Sequence, residues 1–176
     1  MHDKAVPAIF QTIEIGESIP IKNGYTMQMV EANHRLECYG AMITHRKNKL
    51  KAEYADRSKN EIIEAKKNGR QINNEITTDL FAYSADTDIK ILEMNPTLYE
   101  CKNLILECTF LEDDELDSAR KTQHTHINDI LEREKFFQND KLILSHFSTR
   151  YQKKEVVRIL NEKLKNWQGP EIVLWI

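Results

Sequence analysis

Short apolar runs separated by polar turns form the main pattern of this chain of 176 residues. On either side of Gly24, apolar and polar residues alternate with a period of two, which predicts a β-hairpin over residues 10–21 and 25–30. Several later apolar runs are short and continuous, as in strands that are buried in a sheet. Further strands are predicted over residues 36–44, 80–83, 104–110, 142–144 and 172–175.

Apolar residues at helical spacing lie between these strands. The clearest case is an amphipathic segment, residues 153–167, which Gly169-Pro170 follows as a helix stop. The predicted helices cover residues 60–68, 88–92, 125–137 and 153–167. Strands that come first and then alternate with helices predict an α/β (α+β) fold with a mixed sheet and helices on one face, in a single domain over residues 1–176.

Composition narrows the class of protein. With 40% hydrophobic and 30% charged residues, the chain has the composition of a globular domain. No run approaches the ~18 apolar residues of a membrane span. The first ten residues lack the pattern of a secretory signal, so the cytoplasm or an organelle interior is expected. Three cysteines without CxxC spacing are expected to be reduced thiols.

Basic residues are concentrated between residues 45 and 70, although the net charge of the chain is -3. A local basic patch can lie against an RNA backbone, where each neutralised phosphate adds salt-dependent affinity. The alternative is a solvated amphipathic helix of mixed charge, because Glu53, Asp56, Glu61 and Glu64 interleave with the lysines. Composition alone favours the solvated helix.

Imidazole and carboxylate side chains stand at the ends of the predicted strands. Asp86 follows one apolar strand, His146 follows another, and His34 precedes a third. Acidic oxygens and imidazole nitrogens that arrive from several strand ends suit a hydrolytic zinc site. The alternatives are that Asp86 caps the helix over residues 88–92 and that His146 is a hydrogen-bonded core histidine.

Glu107 interrupts the apolar strand over residues 104–110. A carboxylate in such a strand needs a partner, because burial of an unpaired charge is costly. His124 is the candidate partner. A carboxylate–imidazole pair suits proton transfer, because the pKa of the imidazole can be held near the working pH.

These residues lie in segments that resemble the motifs of ribonuclease Z, the tRNA 3′-processing endonuclease family of the metallo-β-lactamase superfamily. S-A-D-T around Asp86 resembles T-G-D-T, and L-S-H-F-S-T-R-Y around His146 resembles T-H-F-S-S-R-Y. H-R-L-E-C-Y-G, which begins at His34, and E-C-T-F, which begins at Glu107, resemble two further motifs. The resemblance implies that His34, Asp86 and His146 bind two zinc ions, with Asp86 as the bridge. It also implies that His124 protonates the departing 3′ oxygen while Glu107 orients the imidazole.

The chain departs from the family motifs at two positions. Ala85 and Gln123 stand where the family has glycine, and alanine is strained if that position requires φ > 0. The segment that starts at His124 also resembles a damaged H-x-H-x-D-H, but its residues are out of register and no buried strand precedes it. We therefore interpret it as the later family motif, which places His126 on a helix face and leaves His2 and His45 as surface histidines.

The H-x-H-x-D-H motif is absent from these 176 residues. In the family it supplies four metal ligands and the base that activates water. The resemblance covers residues 9–176 but corresponds to the second half of a four-layer αββα sandwich. It implies two protein ligands for each zinc ion, an uncovered apolar sheet face, a need for a complementing half or a homo-oligomer, and precursor tRNA as the substrate.

Three accounts of such a half remain open. The chain is a subunit of a split nuclease, a truncated gene product, or a degenerate half kept as a non-catalytic binding or regulatory module. Another hydrolase of the metallo-β-lactamase fold, acting on a small ester, is also possible. The segments K-L-K-A-E-Y and K-N-G-R-Q-I resemble the nuclease and favour RNA processing over that hydrolase.

Overall fold

The computed structural model of the protein describes residues 12–176. The start of the predicted first strand and His2 lie outside this range. The strands are β1 Ser18–Pro20, β2 Tyr25–Glu31, β3 Tyr39–Leu50, β4 Asn73–Tyr83, β5 Asn103–Glu107, β6 Lys141–Ser145 and β7 Glu171–Leu174. The helices are α1 Lys59–Lys67, α2 Ile91–Met94, α3 Leu116–Thr122, α4 Ile127–Glu132 and α5 Lys153–Lys163. Short 3-10 helices occupy Ala52–Tyr54, Pro96–Tyr99, Asp113–Glu115 and Glu134–Phe136.

Within residues 12–176, seven strands form one mixed sheet whose spatial order is the same as the chain order. Strands β1 to β4 pair antiparallel. Strands β4 to β7 pair parallel, with helical crossovers between them. The predicted mixed sheet and α/β class are therefore confirmed. In the parallel half, the carboxyl ends of β4, β5 and β6 lie side by side at one edge of the sheet.

One face of the sheet carries the hydrophobic core. Leu104 and Leu142 pair across β5 and β6 and are fully buried. Apolar residues of α2, α4 and α5 belong to the same buried cluster, so these helices pack on this face. Burial of each such side chain contributes about 1.5–3 kcal/mol. This cluster fixes the positions of the parallel strands and hence of the residues that follow them.

The opposite face carries an apolar band. Strand register places one residue from each of six neighbouring strands in a single row: Met29, Ala41, Tyr83, Ile105, Ile143 and Val173. Ile105 is buried, Tyr83 is 41% exposed, and the other four are half-buried. We call this row the apolar band. A globular protein seldom leaves so extended an apolar surface open to water.

Strands β3 and β4 extend beyond their predicted bounds, since β3 runs to Leu50 and not to residue 44, and β4 starts at Asn73 and not at residue 80. They pair antiparallel from Ala41 to Leu50 of β3, with an irregularity between Ile43 and Thr44. Residues 46–50 of β3 are exposed, so the outer part of this pair has little core to bury. The basic segment therefore begins in a strand. Its interpretation as one amphipathic helix is wrong for residues 45–50, although α1 does form within it and ends before Gly69.

Elements in the second half are shorter than predicted. α5 ends at Lys163 and not at residue 167, and two further changes lie closer to the candidate site. The strand predicted over residues 104–110 ends at Glu107, because the N–H of Thr109 turns back to donate to the Glu107 carboxylate. The helix predicted over residues 125–137 divides into α4 and the 3-10 helix Glu134–Phe136. The earlier end of β5 places Thr109 inside the candidate site.

All three cysteines are free thiols, and Cys101 and Cys108 are buried. Burial raises the pKa of Cys101 to about 11 and the pKa of Cys108 well above its ordinary value.

Among residues 12–176, no helix is both long and apolar enough to cross a membrane.

Candidate active site

The carboxyl ends of three adjacent parallel strands deliver the candidate side chains to one edge of the sheet. Glu107 is the last residue of β5 and pairs with Ser145, the last residue of β6. His146 follows directly, and Asp86 lies three residues after the end of β4. In α/β proteins, binding sites commonly lie at the carboxyl ends of the parallel strands.

Glu107 is a buried carboxylate that accepts five hydrogen bonds. Its side chain is 1% exposed. Oε1 accepts from the backbone N–H of Thr87 at 3.1 Å, from Nδ1 of His124 at 2.8 Å and from the N–H of Thr125 at 3.1 Å. Oε2 accepts from the N–H and the hydroxyl of Thr109, both at 2.9 Å. Bonds to an ionised acceptor are the stronger kind, and together they offset the cost of burying the charge.

The predicted contact between Glu107 and His124 is therefore present and direct. The hydrogen bond to Glu107 is the largest cause of a raised pKa at His124. Burial lowers the pKa of His124, and the charges of Glu107 and Asp86 raise it further. Because Nδ1 is bonded to Glu107, Nε2 is the nitrogen left to exchange a proton with a bound molecule.

Asp86 and His146 meet at the same edge. Nε2 of His146 lies 3.3 Å from Oδ1 of Asp86, and both side chains are partly exposed. The other ring nitrogen of His146, Nδ1, lies 2.9 Å from the Thr109 hydroxyl. The rings of His124 and His146 stack with centroids 5.4 Å apart. A molecule bound to Asp86 and His146 would thus lie beside the Glu107–His124 pair.

His34 reaches the cluster from the connection between β2 and β3. Its ring packs edge-on against His124, with centroids 4.9 Å apart. Its Nδ1 accepts a long hydrogen bond of 3.4 Å from the N–H of Leu36. Its Nε2 is buried and has no hydrogen-bond partner among residues 12–176. Buried polar atoms are almost always paired, so an unpartnered imidazole nitrogen next to other histidines fits a metal ligand.

The donor set at this edge can hold a metal ion. Ligand atoms of Glu107, His124 and His146 lie within 4.8 Å of one another. In that trio, however, the bond between Glu107 and His124 already uses one atom of each residue. Further ligand candidates at this edge are Nε2 of His34, which has no hydrogen-bond partner among residues 12–176, and the partly exposed side chains of Asp86 and His146.

Three residues at this edge adopt a left-handed backbone: Ala85, Gln123 and His146 have φ of 56°, 55° and 58°. For a residue with a Cβ, this conformation costs roughly 1–2 kcal/mol. Ala85 and Gln123 are the two positions where the resembling family has glycine. The strain anticipated at Ala85 is therefore present, and the backbone keeps the conformation that glycine would adopt freely.

His126 does not lie on a helix face as predicted, because it immediately precedes α4. It is fully buried and caps the start of α4, where its Nδ1 accepts from the N–H of Asn128 at 3.1 Å. Its Nε2 donates to the carbonyl of Glu112 at 2.9 Å. Both nitrogens are occupied, so His126 is structural. His45 stacks on Tyr25 with centroids 4.2 Å apart, on the outer part of β3.

Asp86 does not form the helix cap that was its alternative role. The carboxylate that accepts from the start of α2 is that of Asp88, at 2.9 Å from the N–H of Lys90. Thr109 was not singled out from the sequence, although its hydroxyl contacts both Glu107 and His146. The sequence signals for Thr109 are its place two residues after a carboxylate in an apolar strand and its place within the E-C-T-F segment.

Two curated relatives of this chain are plant tRNase Z proteins. No family model matches the chain. Over 147 residues, or 82% of this chain, it is 34% identical to tRNase Z TRZ1 of Arabidopsis thaliana and 29% identical to chloroplastic tRNase Z TRZ2 of the same plant. The match covers 52% and 42% of those two proteins, so the chain spans about half the length of the curated relatives it matches.

Among solved structures, the chain is similar to the metallo-β-lactamase fold protein YhfI of Bacillus subtilis. The TM-score is 0.58 with 15% identity, and the match covers 93% of this chain and 51% of that one. At this level of identity the likeness shows the fold alone. The chain has part of a metallo-β-lactamase fold.

The raised pKa of His124 can be tested by NMR titration of its ring. We expect Glu107→Gln to lower the pKa of His124, because it removes the largest cause of the rise. Asp86→Asn is the matched control and should lower it less, since Asp86 acts only through its charge. An unchanged pKa in Glu107→Gln would contradict this account.

The same shift makes stability depend on pH. The pKa of His124 in the folded protein lies above its ordinary value of 6.5. The bond to Glu107 therefore contributes fully to the free energy of unfolding below pH 6.5, and this contribution is lost as the pH rises through the folded pKa of His124.

The strain at Ala85 predicts a stabilising substitution. Ala85→Gly should raise the free energy of unfolding by about 1 kcal/mol, because glycine adopts the left-handed backbone without a penalty. The control is Ala119→Gly within α3, which should lower it by at least roughly 0.5–1 kcal/mol. Urea unfolding of the three proteins measures both changes. A loss of stability in Ala85→Gly would show that the position carries no strain.

Proposed function

We propose that this ribonuclease Z-like chain forms the carboxy-terminal half of a zinc-dependent endoribonuclease that cleaves the 3′ extension from precursor tRNA. The observation that carries the proposal is the direct Glu107–His124 bond of 2.8 Å, adjacent to the Asp86–His146 contact of 3.3 Å. A general acid beside a metal-ligand cluster is what hydrolysis of a phosphodiester requires.

His34, Asp86 and His146 are the proposed zinc ligands. Imidazole nitrogen and carboxylate oxygen are ordinary zinc ligands, and the unpartnered Nε2 of His34 supports the choice. When bound, zinc polarises the phosphate and lowers the pKa of water, so that a hydroxide is available at neutral pH. Asp86 is the ligand that two zinc ions would share, so each ion would have two protein ligands from this chain. Catalytic zinc usually has three, so further ligands must come from elsewhere.

His124 is the proposed general acid. Its raised pKa favours the imidazolium, and Nε2 is free to donate because Nδ1 is bonded to Glu107. As the water oxygen bonds to phosphorus and the bond from phosphorus to the 3′ oxygen breaks, the Nε2 proton passes to that 3′ oxygen. Glu107 keeps the imidazole oriented and stabilises its charged form before the transfer.

The apolar band is the proposed contact surface for the complementing half. Sheets that pack face to face bury alternating apolar side chains of this kind. A partner layer with an H-x-H-x-D-H motif, on the same or another polypeptide, would cover the band and supply the missing ligands and base. A second copy of this chain could cover the band as a homo-oligomer but would bring no such motif.

The outer part of β3 is the proposed contact with the tRNA backbone. Lys47 and Lys49 lie two residues apart on one face of this strand and are exposed. Arg46 pairs with Glu75 at 3.3 Å, so part of the local positive charge is already neutralised. The surface therefore fits a modest, salt-dependent contribution to affinity.

A non-catalytic binding module is the second candidate. The observation that favours it is that Ala85 and Gln123, which are not glycine, occupy left-handed positions beside the site. Such a half would use the apolar band to bind a partner without taking part in cleavage.

Cleavage of precursor tRNA in excess zinc tests the proposal. We expect the purified chain to be inactive alone and active when a polypeptide carrying the complementing half is added. Asp86→Ala or His146→Ala should abolish the restored activity, and His124→Ala should slow it by roughly 10²–10⁴-fold while zinc stays bound. The exposed Glu132→Ala is the control and should leave the rate unchanged.

Robust cleavage by the chain alone would overturn the assignment as a half. A stable complex that does not cleave would favour the binding module.

A further inference from the structure

Thr109 lies at the centre of the site without a role in the function proposed above. It is 8% exposed and follows β5 by two residues. Its hydroxyl oxygen lies 2.9 Å from Oε2 of Glu107 and 2.9 Å from Nδ1 of His146. It also lies 3.2 Å from the carbonyl oxygen of His146 and 3.3 Å from Nδ1 of His124.

We propose that Thr109 is a positioning residue that holds His146 in its Nδ1–H tautomer, so that the lone pair of Nε2 faces the metal position. This inference rests on the proposed function in one respect only, the assignment of His146 as a metal ligand. The hydrogen bonds that hold the imidazole all come from residues of this chain.

The direction of the bonds follows from the donors available. A threonine hydroxyl has one hydrogen to donate and two lone pairs, and an ionised carboxylate can only accept. At 2.9 Å, the charged Glu107 is the favoured acceptor of that hydrogen. The lone pairs of the hydroxyl then remain for His146, so Nδ1 of His146 must carry the hydrogen of the bond between them.

His124 does not compete for this role. Its Nδ1 lies 2.8 Å from Oε1 of Glu107 but 3.3 Å from the Thr109 hydroxyl, so its hydrogen goes to the carboxylate. The two oxygens of Glu107 thus orient two imidazoles. Oε1 orients His124 directly, and Oε2 orients His146 through Thr109.

The consequence appears on the other side of the His146 ring. With hydrogen on Nδ1, a neutral imidazole presents a lone pair at Nε2, which lies 3.3 Å from Oδ1 of Asp86. Two atoms with lone pairs face each other there, an arrangement that a cation between them would stabilise. Histidine ligands generally donate their other N–H to a protein acceptor, which fixes the tautomer and the ring orientation.

The tautomer can be read directly by two-bond ¹H–¹⁵N NMR of the histidine-labelled chain, at a pH where the imidazoles are neutral. We expect the Nδ1–H form for His146 in the unmodified chain and in Thr109→Ser, which keeps the hydroxyl. Thr109→Val has the same shape without the hydroxyl and should shift His146 toward the Nε2–H form. His146→Gln identifies the resonances.

Zinc titration of the same proteins, competed against a chromophoric chelator, gives a second measurement. We expect Thr109→Val to weaken zinc binding by roughly 10–100-fold and Thr109→Ser to restore it. A mainly Nε2–H tautomer in the unmodified chain would overturn the proposal even if Thr109→Val fails to fold. An unchanged Nδ1–H tautomer in folded Thr109→Val would overturn it as well.

The tautomer measurement needs no RNA and no cleavage. If the tautomer changes as expected but a complemented complex does not cleave precursor tRNA, the proposed function fails while the role of Thr109 in orienting His146 stands. If cleavage is restored but the tautomer does not respond to Thr109, the reverse holds.

Discussion

The buried carboxylate of Glu107 is the constraint on which the geometry of the site depends. A carboxylate that is 1% exposed is stable as an anion only while its five donors stay in place. Those donors come from the loops after β4 and β5 and from the segment between α3 and α4. Because they share one acceptor, these segments cannot move independently, and the imidazoles attached to them are held in fixed orientations.

Backbone strain accumulates around the same carboxylate. Ala85 and His146 adopt left-handed conformations directly after two parallel strands, and Gln123 does so just before His124. Strain of this kind persists only where surrounding contacts determine the backbone, and it is concentrated at functional sites. The conformations are thus kept by the hydrogen bonds of the site, since Ala85 and Gln123 lack the freedom of glycine.

Part of the candidate site could be predicted from the sequence, because the positions of its residues depend on the order of apolar and polar residues along the chain. Asp86, Glu107 and His146 each stand at the end of an apolar run, and parallel strands bring their carboxyl ends together. The role of Thr109 could not be predicted, since it depends on β5 ending at Glu107 and not at residue 110. The full length of β4 was not predicted because its first residues are polar. The burial of His126 was not predicted because it depends on a contact with Glu112, which is distant in the sequence.

The most direct test of the account is to locate zinc by anomalous X-ray diffraction from crystals of the chain with its complementing half. The account predicts zinc bound by His34, Asp86 and His146, with the bond between Glu107 and His124 intact. Zinc bound by Glu107 and His124 would contradict it, because the carboxylate would then be a metal ligand and not the anchor of the proton donor.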